Sequence, residues 1–592
     1  MRTYAYLLAM MVSLSGMSLA SSAQAQSARA PTREEIERRP IAPLPSGVGQ
    51  RITVDKAIER APCPLASPEF ANITFTVSAV EFANLRGVDA SFLRPAWADD
   101  IGKTVSLSRI CEIRDQAATM LRQRGYLAAV QIPPQKIENG VVRFDVLMAR
   151  IVGFQVRGNA GKAEGIISRY LNAIQAQEVF NISEAERYLL LTRDIPGYDV
   201  RMTLRPAGTV PGEVIGEVQV LYTPIEAELN VQDYGSKATG RIGGLAQVRF
   251  NGLFGAGDRT SIGFFSTADF KEQQVVQLGE EVRIGDEGLV AAVDGSYAWT
   301  RPDLGPGIDL TSRTLMASAR LRYPLVRRQT RNLYLSGGLD LIDQKVRFSG
   351  IPLTEDKLRV VFLRADYETF DPASLGSTSG YSAAEPRWRF GGSLEVRQGL
   401  SLFGASKDCG PGLTRCALPT VVPISRLEAD TTAFVARAQL SGEYRPTPKL
   451  AFAATVRGQY APDPLLAYEE VSGGVFTIGR GYDPGAVSGD SGLAASGEIR
   501  LGSLVPRTVK DTAVQAYAFA DAAWVWNHDL FIATPDPDRL VSVGGGIRAA
   551  FGDRFVIDAG AAVPLHKTGL QAKRGDVRFL INLTVKLLPW RR

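Results

Sequence analysis

From residue 225 onward, apolar and polar residues alternate in segments of roughly ten residues that are separated by turns. The last segment shows the alternation most clearly, because one face is entirely apolar and the opposite face is mostly polar. The apolar face holds Val577, Phe579, Ile581, Leu583, Val585 and Leu587, and the polar face holds Arg578, Asn582, Thr584 and Lys586. We find no convincing helical period in this region. The pattern predicts a succession of strands, each with one apolar face.

Two architectures fit such strands, a soluble β-sandwich and a transmembrane β-barrel. Charged residues in the middle of the polar faces favour the barrel, because they suit a water-filled lumen. The connections also alternate between short turns and long polar loops, as in outer-membrane barrels. The short turns include 447–449 and 551–553, and the long loops are 299–312, 403–428 and 462–493. We therefore predict a transmembrane β-barrel of about 16 antiparallel strands over residues 225–592, with 370–386 as an unusually long turn.

The chain before the barrel mixes helices with strands, in the order β-α-β-β followed by a weaker repeat. Residues 71–150 and 151–224 therefore predict two small α+β domains, which we call the first module and the second module. The helix of the first module places Leu107, Ile110, Ile113, Ala117 and Leu121 on one face. In the second module, Ser183 and Glu186 predict a capping box. Neither module contains paired acids or a Ser–His or Cys–His set, so we predict no catalytic residues.

The N-terminus has the features of an export signal. A basic residue, an apolar stretch and the small residues Ala23 and Ala25 predict a signal peptide over residues 1–25. Residues 26–70 form a polar, proline-rich lead-in, in which Thr32 and Glu35 predict the start of a short helix. This lead-in fits a mobile tethered helix and a disordered leader equally well.

The charge and cysteine content of the chain argue against nucleic-acid binding and against a metal site. The net charge is +5 with 22% charged residues, so the strongly basic footprint of a nucleic-acid-binding protein is absent. Export to an oxidising compartment favours pairing of the four cysteines, Cys409 with Cys416 and Cys63 with Cys111. Neither pair has the spacing of a zinc site, and we predict no metal and no cofactor.

One glycine-rich stretch, FTIGRGYDPGAVSGDSG from Phe476 to Gly492, resembles a phosphate-binding loop. Strands flank it on both sides, however, so the helix N-terminus that would bind phosphate is missing. The guanidinium of Arg480 best fits a carboxylate. Asp521 is such a carboxylate, since the alternation along residues 513–526 points it into the lumen. On pattern alone, a solvated lumen acid and a surface arginine fit as well.

The signal peptide, lead-in, two modules, barrel and Arg-Gly-Tyr loop resemble the outer-membrane transporters of two-partner secretion, the ShlB/FhaC/HecB-like or TpsB family. The modules resemble polypeptide-transport-associated (POTRA) domains. The loop signature of that family, Val/Ile-Arg-Gly-Phe/Tyr, corresponds here to Gly479, Arg480, Gly481 and Tyr482, and its Phe-x-Asp-x-Gly signature to Phe519 and Asp521. The resemblance implies that the loop tucks into the lumen and that Arg480 pairs with Asp521. Gly479 and Ala523 depart from the family pattern.

The resemblance also implies a function without an enzymatic activity. The modules would lie in the periplasm and capture a large secreted partner exoprotein, TpsA-like and of the hemolysin or adhesin type. The barrel would pass this chain across the outer membrane, in contact with lipid and with the barrel-assembly machinery, and without nucleic acid. The alternative is an outer-membrane β-barrel assembly factor, although such factors usually have three or more modules.

Overall fold

The structure is a computed structural model that describes residues 31–37, 53–54, 63, 65, 67–70, 72–208, 210–528, 537–568 and 575–589. The predicted signal peptide lies outside these residues. Among the described helices, none is both long and apolar enough to cross a membrane. The α-helices are α1 (Arg33–Ile36), α2 (Arg109–Gln123), α3 (Glu164–Gln175) and α4 (Ile182–Arg193), and the 3₁₀ helices are Pro68–Phe70, Ala90–Ala96, Ala98–Asp100, Gly161–Ala163, Pro372–Gly376 and Pro411–Leu413.

The first module is a small sheet covered by α2. A strand of the lead-in, β1 (Thr53–Val54), comes first in the chain, and the module itself contains β2 (Thr74–Thr76), β3 (Ala79–Ala83), β4 (Thr104–Ser106), β5 (Ala128–Gln131) and β6 (Val141–Met148). Strands β3, β6 and β5 form one sheet in that order, and β2 pairs with β4. On α2, Ile110, Ile113, Ala117 and Leu121 are buried, as their spacing predicts, whereas Leu107 precedes the helix and is half-buried. A disulfide joins Cys63 to Cys111 on α2 and so ties the lead-in to this module.

The second module contains β7 (Arg150–Gly158), β8 (Tyr198–Pro206) and β9 (Glu213–Tyr222), which are packed against α3 and α4. Its sheet has the order β1-β8-β9-β7, so the lead-in strand β1 adds to one edge. Strand β1 runs parallel to β8, with Thr53 opposite Thr203 and Val54 opposite Leu204. Part of the lead-in therefore occupies a sheet edge that would otherwise offer its backbone groups to another strand.

The predicted capping box at Ser183 and Glu186 is wrong. Asn181 is the N-cap of α4, because its backbone is extended and its side-chain oxygen accepts a hydrogen bond from the Ser183 N–H at 2.9 Å. Glu186 instead accepts a hydrogen bond from the backbone N–H of Gln329 in a barrel turn, at 3.0 Å. Burial at this contact raises the pKa of the Glu186 carboxyl. A residue assigned to local capping thus belongs to the contact between the module and the barrel.

Sixteen antiparallel strands close into a barrel, which confirms the predicted fold. They are β10 (Ile225–Gln232), β11 (Gly243–Asn251), β12 (Arg259–Thr267), β13 (Gln273–Ile284), β14 (Leu289–Thr300), β15 (Leu310–Arg327), β16 (Arg331–Phe348), β17 (Ile351–Phe370), β18 (Trp388–Gly399), β19 (Phe434–Thr447), β20 (Leu450–Tyr460), β23 (Ser491–Gly502), β24 (Thr512–Trp526), β25 (Asp538–Phe551), β26 (Phe555–Pro564) and β27 (Arg578–Leu588). A separate hairpin, β21 (Val471–Gly473) and β22 (Val487–Gly489), lies between β20 and β23. Strand β27 pairs with β10 and closes the barrel.

Apolar side chains cover the outside of the barrel. On β24, every second residue from Thr512 to Ala520 is exposed, and the intervening Gln515, Tyr517 and Phe519 are buried towards the lumen. This arrangement is typical of a transmembrane barrel. We call the end at which β10 follows the second module the lower end, and the opposite end the upper end. The long connection at 371–387 lies at the lower end, and the loops 400–433 and 461–490 lie at the upper end.

The second module is attached to the lower end by ion pairs and hydrogen bonds. The carboxylate of Asp194, which follows α4, accepts two hydrogen bonds of 2.7 Å from Arg327 at the end of β15. The guanidinium of Arg283 donates to the Asp194 carbonyl at 2.6 Å, and Arg187 donates to the Pro324 carbonyl at 2.9 Å. The position of the module is therefore fixed relative to the opening of the barrel.

Candidate gate and plug in the lumen

The connection between β20 and β23 turns back into the barrel. We call residues 461–490 the gate loop. Its hairpin of β21 and β22 packs against the wall strands β23, β24 and β25. Below the hairpin, the tip of the loop carries the predicted motif, residues 479–482. The loop therefore reaches the same wall strand, β24, that carries Phe519 and Asp521.

Arg480 and Asp521, which we call the clasp, join the loop tip to the wall. The Nε and Nη2 atoms of Arg480 donate to the two carboxylate oxygens of Asp521 at 2.9 and 2.8 Å. The backbone N–H of Arg480 donates to the same carboxylate at 3.0 Å. The guanidinium also stacks on the ring of Phe519, 3.5 Å from its centroid. Because Asp521 is only 2% exposed, this charge depends on the loop for its compensation.

Three further residues complete the surroundings of the guanidinium. Glu498 and Ser496 on β23 accept hydrogen bonds of 3.0 Å from Nη1 and Nη2 of Arg480. The Ser496 hydroxyl in turn donates to Asp521 at 2.7 Å. Glu498 also pairs with Arg548 on β25, at 2.8 Å. Glu498, Ser496 and Arg548 were not among the predicted site residues, although the alternation places Glu498 on the lumen face of its strand.

The two glycines that flank Arg480 lie too close to the wall for side chains. A Cβ atom on Gly481 would come within 2.8 Å of the Ser542 side chain and 3.0 Å of the Pro564 nitrogen. Gly479 has a φ of +129°, and a Cβ there would come within 2.7 Å of Leu540. Glycine is the residue that tolerates both the conformation and the close approach. Gly479 therefore departs from the family pattern at a point where Leu540 fills the space of a side chain.

Tyr482 anchors the other side of the tip. Its side chain is fully buried and packs with Ala523 and Leu540. Its hydroxyl lies 2.8 Å from the carbonyl oxygens of Val541 and His566 and accepts a hydrogen bond from the His566 N–H at 3.0 Å. Ala523, the second departure from the pattern, contributes its methyl group to this apolar contact.

The upper part of the gate loop is held by a second set of charges. The carboxylate of Asp490 is completely buried; it pairs with Arg426 and accepts hydrogen bonds from the N–H groups of Leu465 and His528 at 2.7 and 2.8 Å. Glu469 pairs with Arg397 on β18 at 2.8 Å and with Arg437 on β19 at 2.6 Å. The loop is therefore anchored at both ends of its path through the lumen.

The short helix α1 lies in the lumen, and we call it the plug helix. Thr32 and Glu35 form the predicted capping box, with hydrogen bonds of 2.9 and 3.4 Å. Glu34 accepts a hydrogen bond of 2.9 Å from Ser472 on β21. The carbonyl of Ile36 accepts a hydrogen bond of 3.4 Å from Gln277 on β13. The plug helix thus spans from the gate loop to the opposite part of the wall.

The upper loop 400–433 covers the plug helix. Ile36 is fully buried in an apolar cluster with Leu466 and Tyr468 of the gate loop and with Cys409 and Ile424 of the upper loop. The predicted disulfide partners Cys409 and Cys416 are bonded to each other within this upper loop. An apolar cluster therefore joins the plug helix, the gate loop and the upper loop.

The chain matches known families and proteins. A family model described as haemolysin secretion/activation protein ShlB/FhaC/HecB matches residues 218–549, more than half of the chain. A second model, described as POTRA domain, ShlB-type, matches residues 75–148, within the first module. These matches cover most of the barrel, including the clasp, and most of the first module.

Three individual proteins that the chain resembles share a quarter or less of its residues over the matched regions. The chain is 25% identical over 242 residues to the heme/hemopexin transporter protein HuxB of Haemophilus influenzae (strain 86-028NP), which covers 39% of this chain and 41% of HuxB. It is 23% identical over 519 residues to the outer membrane transporter CdiB-2 of Burkholderia pseudomallei (strain 1026b), which covers 83% of this chain and 80% of CdiB-2. The structure of CdiB from Escherichia coli matches with a TM-score of 0.69 at 16% identity, over 90% of this chain and 93% of that one, and shows the same fold. The chain thus spans about two fifths of the length of HuxB.

Proposed function

Because the chain belongs to the haemolysin secretion/activation family ShlB/FhaC/HecB, we propose that it exports a large partner exoprotein across the outer membrane by two-partner secretion. The barrel lies in the outer membrane, and the two POTRA modules lie in the periplasm. The upper end of the barrel therefore faces the outside of the cell. The apolar outer face contacts outer-membrane lipid, and insertion of the barrel depends on the barrel-assembly machinery of the cell.

The observation that carries this proposal is that the lumen holds two elements, the gate loop and the plug helix, that are not strands of the barrel wall. The gate loop and the plug helix are bound to the wall by charged side chains and hydrogen bonds rather than by strand pairing. A protein-conducting pore needs such elements, because it must be closed at rest and open during transport. A passive pore would need neither element nor the two modules.

Export of the protein that is encoded next to this chain tests the proposal. We expect the genome to encode, next to this chain, a very large exported protein with β-helical repeats. Deleting this chain should abolish the appearance of that protein in the medium and leave the amounts of unrelated outer-membrane barrels unchanged. Loss of the unrelated barrels, with continued export of the large protein, would instead identify the chain as an assembly factor.

The lead-in strand suggests how capture of the cargo is controlled. An unfolded segment binds to a module by adding a strand to an open sheet edge. Strand β1 already occupies the β8 edge of the second module, and it lies between the plug helix and the first module in the chain. Cargo that adds to β8 therefore displaces β1, and this displacement frees the tether of the plug helix.

Weakening the pairing of β1 with β8 should therefore favour binding of the cargo to the second module. Thr53→Pro removes a backbone donor from the two-residue strand, and we expect the cargo segment to bind several-fold more tightly. The affinity of the purified full chain for the N-terminal domain of the neighbouring exoprotein measures this effect. Asn72→Pro, at an exposed turn position outside any strand, serves as the control. An unchanged affinity in Thr53→Pro would contradict competition at this edge.

A further inference from the structure

Three neighbouring strands, β15, β16 and β17, rise above the adjacent strand β18 at the upper end of the barrel. Residues 351–359 of β17 continue above Val360, the uppermost residue that pairs with β18, and they pair with the top of β16, which in turn pairs with the top of β15. Along their lower parts, the outward side chains are apolar, and Leu315 and Val361 are 43% exposed. Directly above these two residues the character of the outward face changes from apolar to charged.

We call this charged surface the cation patch. It consists of the outward side chains at the tops of the three strands and holds five cations and two carboxylates. The cations are Arg313, Lys345, Arg347 and Lys357, together with Arg359, which is only 7% exposed and is bonded to the upper loop, and the carboxylates are Asp343 and Glu355. The intervening residues of the same strands, such as Thr314, Gln344 and Leu358, are buried towards the lumen. The patch therefore has an excess of positive charge that faces away from the barrel.

The two carboxylates do not compensate all of the cations. Glu355 lies 3.2 Å from Lys345 and 3.1 Å from Lys357, and Asp343 lies 2.7 Å from Arg359. Within the described part of the chain, Arg313 and Arg347 form no ion pair. Arg313 is moreover the direct cross-strand partner of Lys345. Like charges in that position destabilise a sheet, so an anion bound between them would relieve the repulsion.

The position of the patch indicates which kind of anion would bind there. Trp299, the cross-strand partner of Arg313 on the other side, is 40% exposed and packs edge-on against Tyr297, as in an interfacial aromatic girdle. Phe403 of the upper loop is 71% exposed, and its carbonyl accepts a hydrogen bond of 3.1 Å from Arg359. The cations thus lie at the border between the apolar band and water, next to exposed apolar side chains.

We propose that the cation patch binds the phosphate groups of the phosphorylated glycolipid that forms the outer leaflet of the outer membrane. Its acyl chains would lie along the apolar band that includes Leu315 and Val361, and its phosphates would lie between Arg313, Lys345 and Arg347. Arginine and lysine are the side chains that recognise phosphate in this way. The site is separate from the lumen, so it positions the barrel in the leaflet without taking part in the gate.

Binding of lipid A to the purified full chain tests the proposal. We expect diphosphoryl lipid A to bind the detergent-solubilised protein in native mass spectrometry and in a fluorescence titration, and dephosphorylated lipid A to bind much more weakly. Replacing Arg313, Lys345 and Arg347 together by Gln should weaken binding roughly a hundredfold, since each basic side chain near an anionic lipid surface contributes about a factor of five. The measurement needs no cargo, so its outcome is independent of the export test.

The control removes the same charge at the opposite end of the barrel. Replacing Arg331, Lys449 and Arg507, which are exposed at the lower end, by Gln should leave lipid A binding unchanged. Heat-modifiable migration in gels shows whether both triple variants form the barrel. Equal binding of wild type and the upper triple variant would overturn the proposal. Equal binding of phosphatidylglycerol and diphosphoryl lipid A would also overturn it, because the patch would then recognise any anionic lipid.

Discussion

Replacing Asp521 with alanine is expected to abolish export of the partner exoprotein while leaving the barrel folded. Asp521 accepts three hydrogen bonds from Arg480, and removal of one partner of a buried ion pair typically costs about 3–5 kcal/mol. A loss of that size would lower the population of the tucked gate loop by a factor of about 100 or more relative to displaced positions. Sixteen strand pairings hold the barrel, and none of them depends on the clasp.

The variants of the clasp should differ in a defined order. Asp521→Asn keeps the size of the side chain but removes its charge, so we expect partial export. Arg480→Ala should resemble Asp521→Ala. The exchange of Arg480 and Asp521 should not restore export, because Glu498 lies 3.0 Å from the guanidinium and would repel a carboxylate placed there. The amount of exoprotein in the medium, divided by the amount of barrel in the outer membrane, measures export.

Asp366→Ala is the matched control for these variants. Asp366 is a lumen carboxylate that accepts hydrogen bonds of 2.9 and 2.7 Å from Arg364 on its own strand, and among the described residues it forms no hydrogen bond or ion pair with the gate loop. We expect near-normal export from this variant. If Asp521→Ala exports as well as Asp366→Ala does, with equal amounts of barrel, then the clasp is not required.

Strand alternation explains why the wall side of the clasp was predictable. Along β24 the direction of each side chain follows from its parity, so Asp521 could be assigned to the lumen from the sequence of its own strand. The facing residues could not be assigned in this way. Ser496 and Glu498 stand opposite Asp521 and Phe519 only because of the register between β23 and β24. That register depends on the whole barrel rather than on either strand alone.

The position of the plug helix in the lumen could not be predicted from the sequence, for a different reason. The capping residues Thr32 and Glu35 are close together in the chain, so the start of α1 was predictable. The partners that hold α1 in the lumen, Gln277 and Ser472, lie more than 200 residues away. Local patterns cannot show such contacts. The same limit explains the error at Glu186, whose partner Gln329 belongs to the barrel.

Locking the plug helix to the gate loop should stop export in a reversible way. A Cβ atom on Gly485 would lie 2.8 Å from the Cγ2 methyl of Thr32. The Cβ atoms of cysteines at these two positions would therefore lie about 4 Å apart, within the disulfide range of roughly 3.5–4.5 Å. At the φ of +65° of Gly485, a cysteine costs about 1–2 kcal/mol of stability. We expect Thr32→Cys/Gly485→Cys to form a bridge after oxidation.

The expected result is a fall in export of about tenfold or more in the oxidised double variant, because the bridged state cannot release the plug helix. A reductant should restore export. The variants Thr32→Cys and Gly485→Cys alone, treated identically, show the effect of each substitution. Wild type under the same reductant shows the effect of opening its own disulfides, Cys63–Cys111 and Cys409–Cys416. Normal export from the bridged variant would mean that cargo passes without separating α1 from the gate loop, and export would then not require release of the plug helix.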